Sequence, residues 1–289
     1  MVFLVTVWGM EWSIAKDALD HVDTLLLMNV KYFFGALLIA FVAKKMTGFR
    51  LPDLKDLPFI IGSTFLGHIV YLYSEYVALD TVPIANITVI YGFLPIGTIL
   101  VEKLLFHRRL SIKLLLLMIL GVIGIALTIG TDLGDLAGGK AKGYLMCVVA
   151  LLAWLGYLFL TESTTEKYGS ITVALYQASL AWCMTTPLAA PKWHTISQLP
   201  PQILLELLYL GLISEGVCFI IEVTGLERLG STICAVYSNF LPVTSAFFGL
   251  ILLHQDLILL QYIGGFIVIV SGFFVIREKD YLDRLSPQS

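Results

Sequence analysis

Apolar residues in this chain fall in long unbroken blocks, separated by short stretches carrying Asp, Lys, Gly and Pro. Ten blocks can be drawn, at residues 2–18, 24–44, 57–79, 83–105, 111–131, 143–163, 170–190, 201–224, 229–253 and 257–276. A helix needs about 20 mostly apolar residues to cross a bilayer. The blocks are continuous rather than alternating over about 10 residues, so the pattern predicts spanning helices and not barrel strands. The first block starts beside Met1 without a basic leader or a small-residue cleavage site, so it reads as a short first span rather than a signal peptide. A start upstream of Met1 would lengthen it.

One stretch of the pattern occurs twice. At an offset of 147, Glu75 returns as Glu222, Leu79 as Leu226, Asp80 as Glu227 and His107 as His254. Phe93-Leu94-Pro95 returns as Phe240-Leu241-Pro242, and no gap is needed between residues 67 and 110. Self-similarity at a long fixed offset means two halves of similar build. Each half holds five spans, and a repeat with an odd number of spans enters the membrane in the opposite sense the second time. The predicted fold class is therefore an all-α membrane protein of ten transmembrane helices, arranged as two inverted five-helix repeats. The expected division is a first repeat at 1–132, an external linker at 133–142, a second repeat at 143–277 and a cytoplasmic tail at 278–289.

Basic residues set the orientation, because they favour the cytoplasm. With the N-terminus inside, thirteen Lys and Arg fall in inside segments and four in outside ones, while Lys31 lies within the second span. Both termini are expected to be cytoplasmic in a multi-pass protein of the inner or plasma membrane. Composition agrees with a bilayer as solvent. Hydrophobic residues are 58% and charged residues 13%, against about 45–50% and about 25% in soluble domains. A net charge of −3 suggests no nucleic-acid partner. Cys147, Cys183, Cys218 and Cys234 are widely spaced inside apolar blocks, so neither a disulfide framework nor a metal site is expected. No cofactor is implied.

Ionisable side chains inside spans are costly, and those retained usually face the bundle interior or a wet cavity. Trp8, Glu11 and Trp12 share one face of the first span, and His68, Tyr71 and Glu75 share one face of the third. Glu215, Phe219 and Glu222 do so in the eighth, with Glu215 at the repeat position of His68. Trp154 and Tyr157 in the sixth span echo Trp8 and Glu11, and Tyr91, Tyr237 and Asn239 flank the repeated Phe-Leu-Pro. These faces are expected to converge on a central cavity with acidic groups and aromatic walls. Such a cavity suits a cationic or zwitterionic small molecule, helped by cation–π contact, and its carboxyls are candidate proton carriers. The structural alternatives are an interfacial position for Glu11, helix-to-helix hydrogen bonds for Glu75 and Glu222, and belts or packing for the aromatic residues. Glu162 and Glu166 read as solvated, Pro95 and Pro242 as kinks, and His107 and His254 as span ends.

Several of these residues also carry a family resemblance. Val7-Trp8-Gly9-Met10-Glu11-Trp12 with Lys16, and Lys31-Tyr32-Phe33-Phe34, resemble the opening of the EamA repeat. The stretch from Tyr76-Val77-Ala78-Leu79 through Phe93-Leu94-Pro95 to Glu102-Lys103 is similar to the same repeat. So are its second-half counterparts, Gly225-Leu226-Glu227-Arg228-Leu229, Phe240-Leu241-Pro242 and Gly264-Gly265. The chain thus resembles a ten-span member of the drug/metabolite transporter superfamily over nearly its whole length. The resemblance implies export or exchange of small polar metabolites, such as amino acids, or of drugs. Asp256 after His254-Gln255, where the family often has Gly-Glu, and the many intramembrane acids depart from the family pattern.

The expected function is a secondary active transporter working by alternating access, with a small-molecule substrate, the lipid bilayer as surroundings and protons as a candidate coupling ion. A channel or a non-transporting membrane receptor is the alternative. An intramembrane enzyme fits less well: Asp132-Leu133-Gly134-Asp135 lacks the glycine pattern of a membrane aspartyl protease, and Ser63 and His68 lie outside the glycine motif context of a membrane serine protease.

Overall fold

The computed structural model describes residues 1–46, 52–106, 111–129, 140–238, 240–253 and 258–285. Every regular element among them is helical. The first half contains α1 (Val2–Leu19), α2 (Thr24–Met46), α3 (Leu57–Thr64), α4 (Tyr71–Thr81), α5 (Ile84–Tyr91), α6 (Leu94–Phe106) and α7 (Ile112–Ile129). The second half contains α8 (Ala141–Tyr168), α9 (Ser170–Ala189), α10 (Pro201–Leu208), α11 (Phe219–Ser238), α12 (Leu241–Leu253) and α13 (Leu259–Leu285). A wide π-helical turn, Phe65–Val70, joins α3 to α4, and a second, Tyr209–Cys218, joins α10 to α11.

These elements keep the register of the sequence repeat. Leu94 and Leu241 open α6 and α12, and Ile112 and Leu259 open α7 and α13, each pair 147 apart. The π turns fall at matching places. Even the hydrogen bonds at the breaks recur: Phe93 N–H donates to Ile90 C=O at 3.0 Å, and Phe240 N–H to Tyr237 C=O at 3.0 Å. The chain also breaks near Val82-Pro83 in one half and at Gly230 in the other. Pro83 is the exact repeat partner of Gly230. Gly230 has φ 79°, which a residue with a Cβ rarely adopts. The segment it releases is capped from another helix, as the Glu162 carboxylate accepts from Ser231 N–H at 3.1 Å. Glu227 caps the start of α9 in the same way, accepting from Ser170 N–H at 2.9 Å.

Packing is reciprocal between the halves. α2 lies on α9 and α7 on α13, each pairing equivalent spans; α1 packs on the second π turn, and its counterpart α8 packs on the first. Reciprocal pairing is what a pseudo-twofold axis between two copies produces. The outer faces of α7 and α13 carry exposed Ile112, Leu116, Leu259 and Phe266, which suits hydrocarbon surroundings.

Among the described residues, four stretches are long and apolar enough to cross a bilayer by length and composition alone: Thr24–Lys45, Leu57–Thr81, Ala141–Tyr168 and Pro201–Ser231. Others fall short for identifiable reasons. α1 carries Glu11, Lys16 and Asp17, and the fourth and ninth predicted spans are each split into two helices. Pro95 and Pro242 therefore do not kink continuous helices. Each sits at the second position of a new helix, where a missing N–H costs nothing. The segment after α9, Ala190–Gln198, forms a 3₁₀ helix instead of an open loop. It is held by Asn29, which accepts from Trp193 Nε1 at 2.9 Å and donates to Thr185 Oγ1 at 2.8 Å. α13 runs on to Leu285, so most of the expected tail is helical. His107, His254, Asp256 and most of the 133–142 linker lie outside the described residues.

Candidate functional site

The site is a buried cavity between the halves, built from α1, α2, the first π turn, α4, α5, α6, α8, the second π turn, α11 and α12. About 60 Å³ of it is open to the centre of a water molecule. A single water needs about 10–15 Å³ on that measure, so the cavity holds a few waters or a metabolite of similar bulk.

Its position follows from the repeat. His68 and Glu215 are repeat partners, and in the structure they touch, with His68 Nε2 3.5 Å from Glu215 Oε1. Two equivalent residues can meet only beside the axis that relates them. Leu72 and Phe219, Tyr91 and Ser238, and Leu94 and Leu241 are further pairs at the same offset, and all of them line the cavity. The cavity thus straddles the pseudo-twofold axis.

One wall is an ion-pair network. Lys31 Nζ donates to Glu11 Oε1, and Ser214 Oγ donates to the other oxygen of the same carboxylate. Lys31 Nζ also lies 3.8 Å from Glu215 Oε2. All of these groups are buried, Glu11 at 4%, Lys31 at 5% and Glu215 at 6% exposure. An ammonium in that setting is tolerable because two carboxylates surround it. Glu215 comes this close because residue 35 is glycine, where any Cβ would collide with the Glu215 side chain. Tyr32 donates to the backbone carbonyl of His68, which fixes the first π turn against α2. π turns of this kind recur at functional sites because they redirect side chains and carbonyls.

The other wall is aromatic and surrounds Glu75. Tyr71 Oη donates to Glu75 Oε2. Ring centroids of Trp12 and Tyr91 are 5.5 Å apart, those of Tyr71 and Tyr91 6.0 Å, and those of Tyr71 and Trp154 4.6 Å. Trp8 meets Trp154 edge to face at 5.9 Å. Glu75 is 1% exposed and makes no ion pair with any described residue. The Tyr91 hydroxyl is buried without a hydrogen-bond partner among described residues.

Of the residues singled out from sequence, Trp8, Glu11, Trp12, His68, Tyr71, Glu75, Tyr91, Trp154, Glu215 and Phe219 line this cavity. Tyr157 lies behind it, stacked on Trp154 at 4.5 Å. Tyr237 is half-buried against the core and away from the lining, and Asn239 lies outside the described residues. Glu222 is buried at 2% but is not in the lining. The Phe219 ring, packed edge-on against His68 at 4.8 Å, closes the cavity there, and Glu222 sits one helical turn farther along α11. The two matched carboxylates thus do not share one hollow. Sequence reasoning passed over Lys31, Tyr32 and Ser214. Lys31 carried a usable signal, being a basic residue inside a predicted span with acids in neighbouring ones. Ser214 carried none.

A buried, two-walled cavity on the axis of a repeated helical bundle is the arrangement of a membrane transporter. The EamA-like transporter family model matches residues 1–130 and again 141–277. The chain belongs to that family and is an integral multi-pass membrane transporter. It is similar to two Bacillus subtilis (strain 168) proteins. "Uncharacterized transporter YoaV" is 21% identical over 95% of this chain and 94% of its own length. "Uncharacterized transporter YvbV" is 22% identical over 96% of this chain and 90% of its own length. A solved crystal structure shares the fold, with a TM-score of 0.64 at 17% identity, covering 95% of this chain and 98% of that one.

Proposed function

We propose that the chain is a secondary active transporter, exporting or exchanging a small amine-bearing metabolite, cationic or zwitterionic. The observation that carries this reading is Glu75. Among the described residues, three carboxylates line the cavity; Lys31 engages Glu11 and Glu215, whereas Glu75 is left with a hydroxyl donor and a ring of aromatic faces. A carboxylate inside an aromatic enclosure is complementary to an ammonium group, through charge and through the ring quadrupoles. The cavity volume limits the substrate to a few heavy atoms in this conformation.

Transport follows from the architecture. The halves, divided at 133–142, rock about the axis that His68 and Glu215 mark, opening the cavity to each side in turn. Protons are the proposed coupling ion, with a cavity carboxyl taking either a proton or the amine. Both termini are placed in the cytoplasm by the bias of basic residues, in the plasma membrane.

The test is flux into proteoliposomes holding purified protein, with a panel of small amines and amino acids. Saturable counterflow of at least one amine is expected, and its loss in Glu75→Gln with the protein still monodisperse. Flux confined to acidic or uncharged solutes overturns the reading. Amine flux that ignores an imposed pH gradient removes the proton step alone.

A further inference from the structure

We infer that Lys31 is a specificity-determining residue: a cation built into the site that occupies two of its three carboxylates and so limits the substrate to one positive charge. The inference rests on the amine reading above and adds the charge rule. Lys31 reaches the cavity wall from α2, with its ammonium between Glu11 and Glu215, whose other oxygens face Ser214 and His68. Glu11, Lys31, Ser214 and Glu215 come from α1, α2 and the second π turn, so the two halves jointly clamp the ammonium. A substrate amine entering the cavity therefore meets two carboxylates already engaged and one, Glu75, with no cationic partner.

Remove the lysine charge and the balance changes. Glu11 and Glu215 then face each other across the space that the ammonium filled, forming a second place for a cation. The cavity would hold two anionic points, Glu75 and the Glu11–Glu215 pair. Short diamines match that pattern, and a monoamine satisfies only half of it. Buried charges interact strongly enough for one such pairing to change affinity by about tenfold or more.

The experiment is isothermal titration of purified full-length protein in detergent, with n-propylamine and 1,3-diaminopropane as probes. Wild type is expected to favour n-propylamine by about tenfold. Lys31→Met is expected to reverse the order, and Lys31→Arg, which keeps the charge, to restore it. A folded Lys31→Met protein with the wild-type ratio overturns the inference while leaving the amine reading intact. Wild type that binds neither probe overturns the inference, while the amine reading stands or falls by the flux panel. If Lys31→Met does not fold, Glu215→Gln tests the same charge rule from the other side. The less compensated lysine should then weaken n-propylamine binding by about tenfold, and unchanged affinity overturns the inference.

Discussion

Glu75 and Glu222 hold the same place in the two repeats, but their surroundings differ. Glu75 faces the cavity among Tyr71, Tyr91 and Trp12, while Glu222 is buried outside its lining. At the repeat positions of Tyr71 and Tyr91 the second half has Cys218 and Ser238. The backbone has kept its symmetry down to matching hydrogen bonds at the helix breaks, whereas the side chains have diverged. Two copies of one bundle can rock past each other only if their backbones pack reciprocally. A single ligand with one ammonium needs only one cage. On the proposed mechanism, symmetry is retained where the rocking motion requires it and lost where recognition of one ammonium does not.

The sharpest test of this contrast pits the two glutamates against each other. Glu75→Gln is expected to weaken amine binding by about 100-fold, the effect of truncating one partner of a buried charge pair at about 3 kcal/mol. Glu222→Gln is expected to change affinity much less, as measured by titration of the same amine. Equal losses would mean that the asymmetry of the cavity has no bearing on recognition. Stability should show a second difference. Removing Lys31 leaves Glu11 and Glu215 buried without their cation and is expected to cost about 3–5 kcal/mol in unfolding experiments. Substituting Glu222, which has no ion-pair partner among the described residues, should cost clearly less.

Smaller effects come from the cage itself. Trp12→Leu removes one aromatic face and is expected to reduce amine affinity by about tenfold, from about 1–2 kcal/mol of cation–π attraction. The affinity for an uncharged isostere should fall less, which separates the ring's electrostatics from its bulk.

The smallest effects lie at the two ends of the bundle. Lys167 Nζ reaches Asp53 Oδ2 at 2.8 Å and also pairs with Asp56, tying the second half to the first. Lys192 Nζ reaches Asp23 Oδ2 at 2.6 Å and ties them again through the opposite loops. Exposed pairs of this kind contribute little, because solvent screens the charges and two long side chains must be ordered. Hydrogen bonds from Lys167 and Tyr168 hold the Asp56 carboxyl below its ordinary 3.8. Because the folded value is the lower one, the contribution is present at neutral pH and is lost as pH falls through that lowered value. Melting temperatures recorded below the ordinary carboxylate range should show a small loss in wild type. Lys167→Gln should flatten it, and an identical acid profile in both proteins would show that this tie has no weight.

Much of the fold was legible in the residues. The offset of 147 read from the sequence also relates the helix starts at Leu94 and Leu241 and at Ile112 and Leu259, because register is carried by local features such as Phe-Leu-Pro and the apolar blocks. The prolines were misjudged, since a proline inside an apolar run signals a break without saying whether the helix bends or restarts. Most of the cavity was also legible, because helical spacing placed Trp8, Glu11 and Trp12, and His68, Tyr71 and Glu75, on common faces. Lys31 was visible as a charge in a span, but its partners were not.

The sequence by itself determined the doubled helical bundle, its inversion and the polar stripes along individual spans, because these follow from composition, parity and helical period. Only the tertiary structure decided which stripes meet. Glu11, Lys31 and Glu215 are far apart in the chain and become one network through the packing of α1 and α2 on the second π turn. Glu222 has the same local pattern as Glu75 but is buried outside the cavity lining. Local periodicity fixes the direction of a side chain from its own helix; what it faces is fixed by the neighbouring helices.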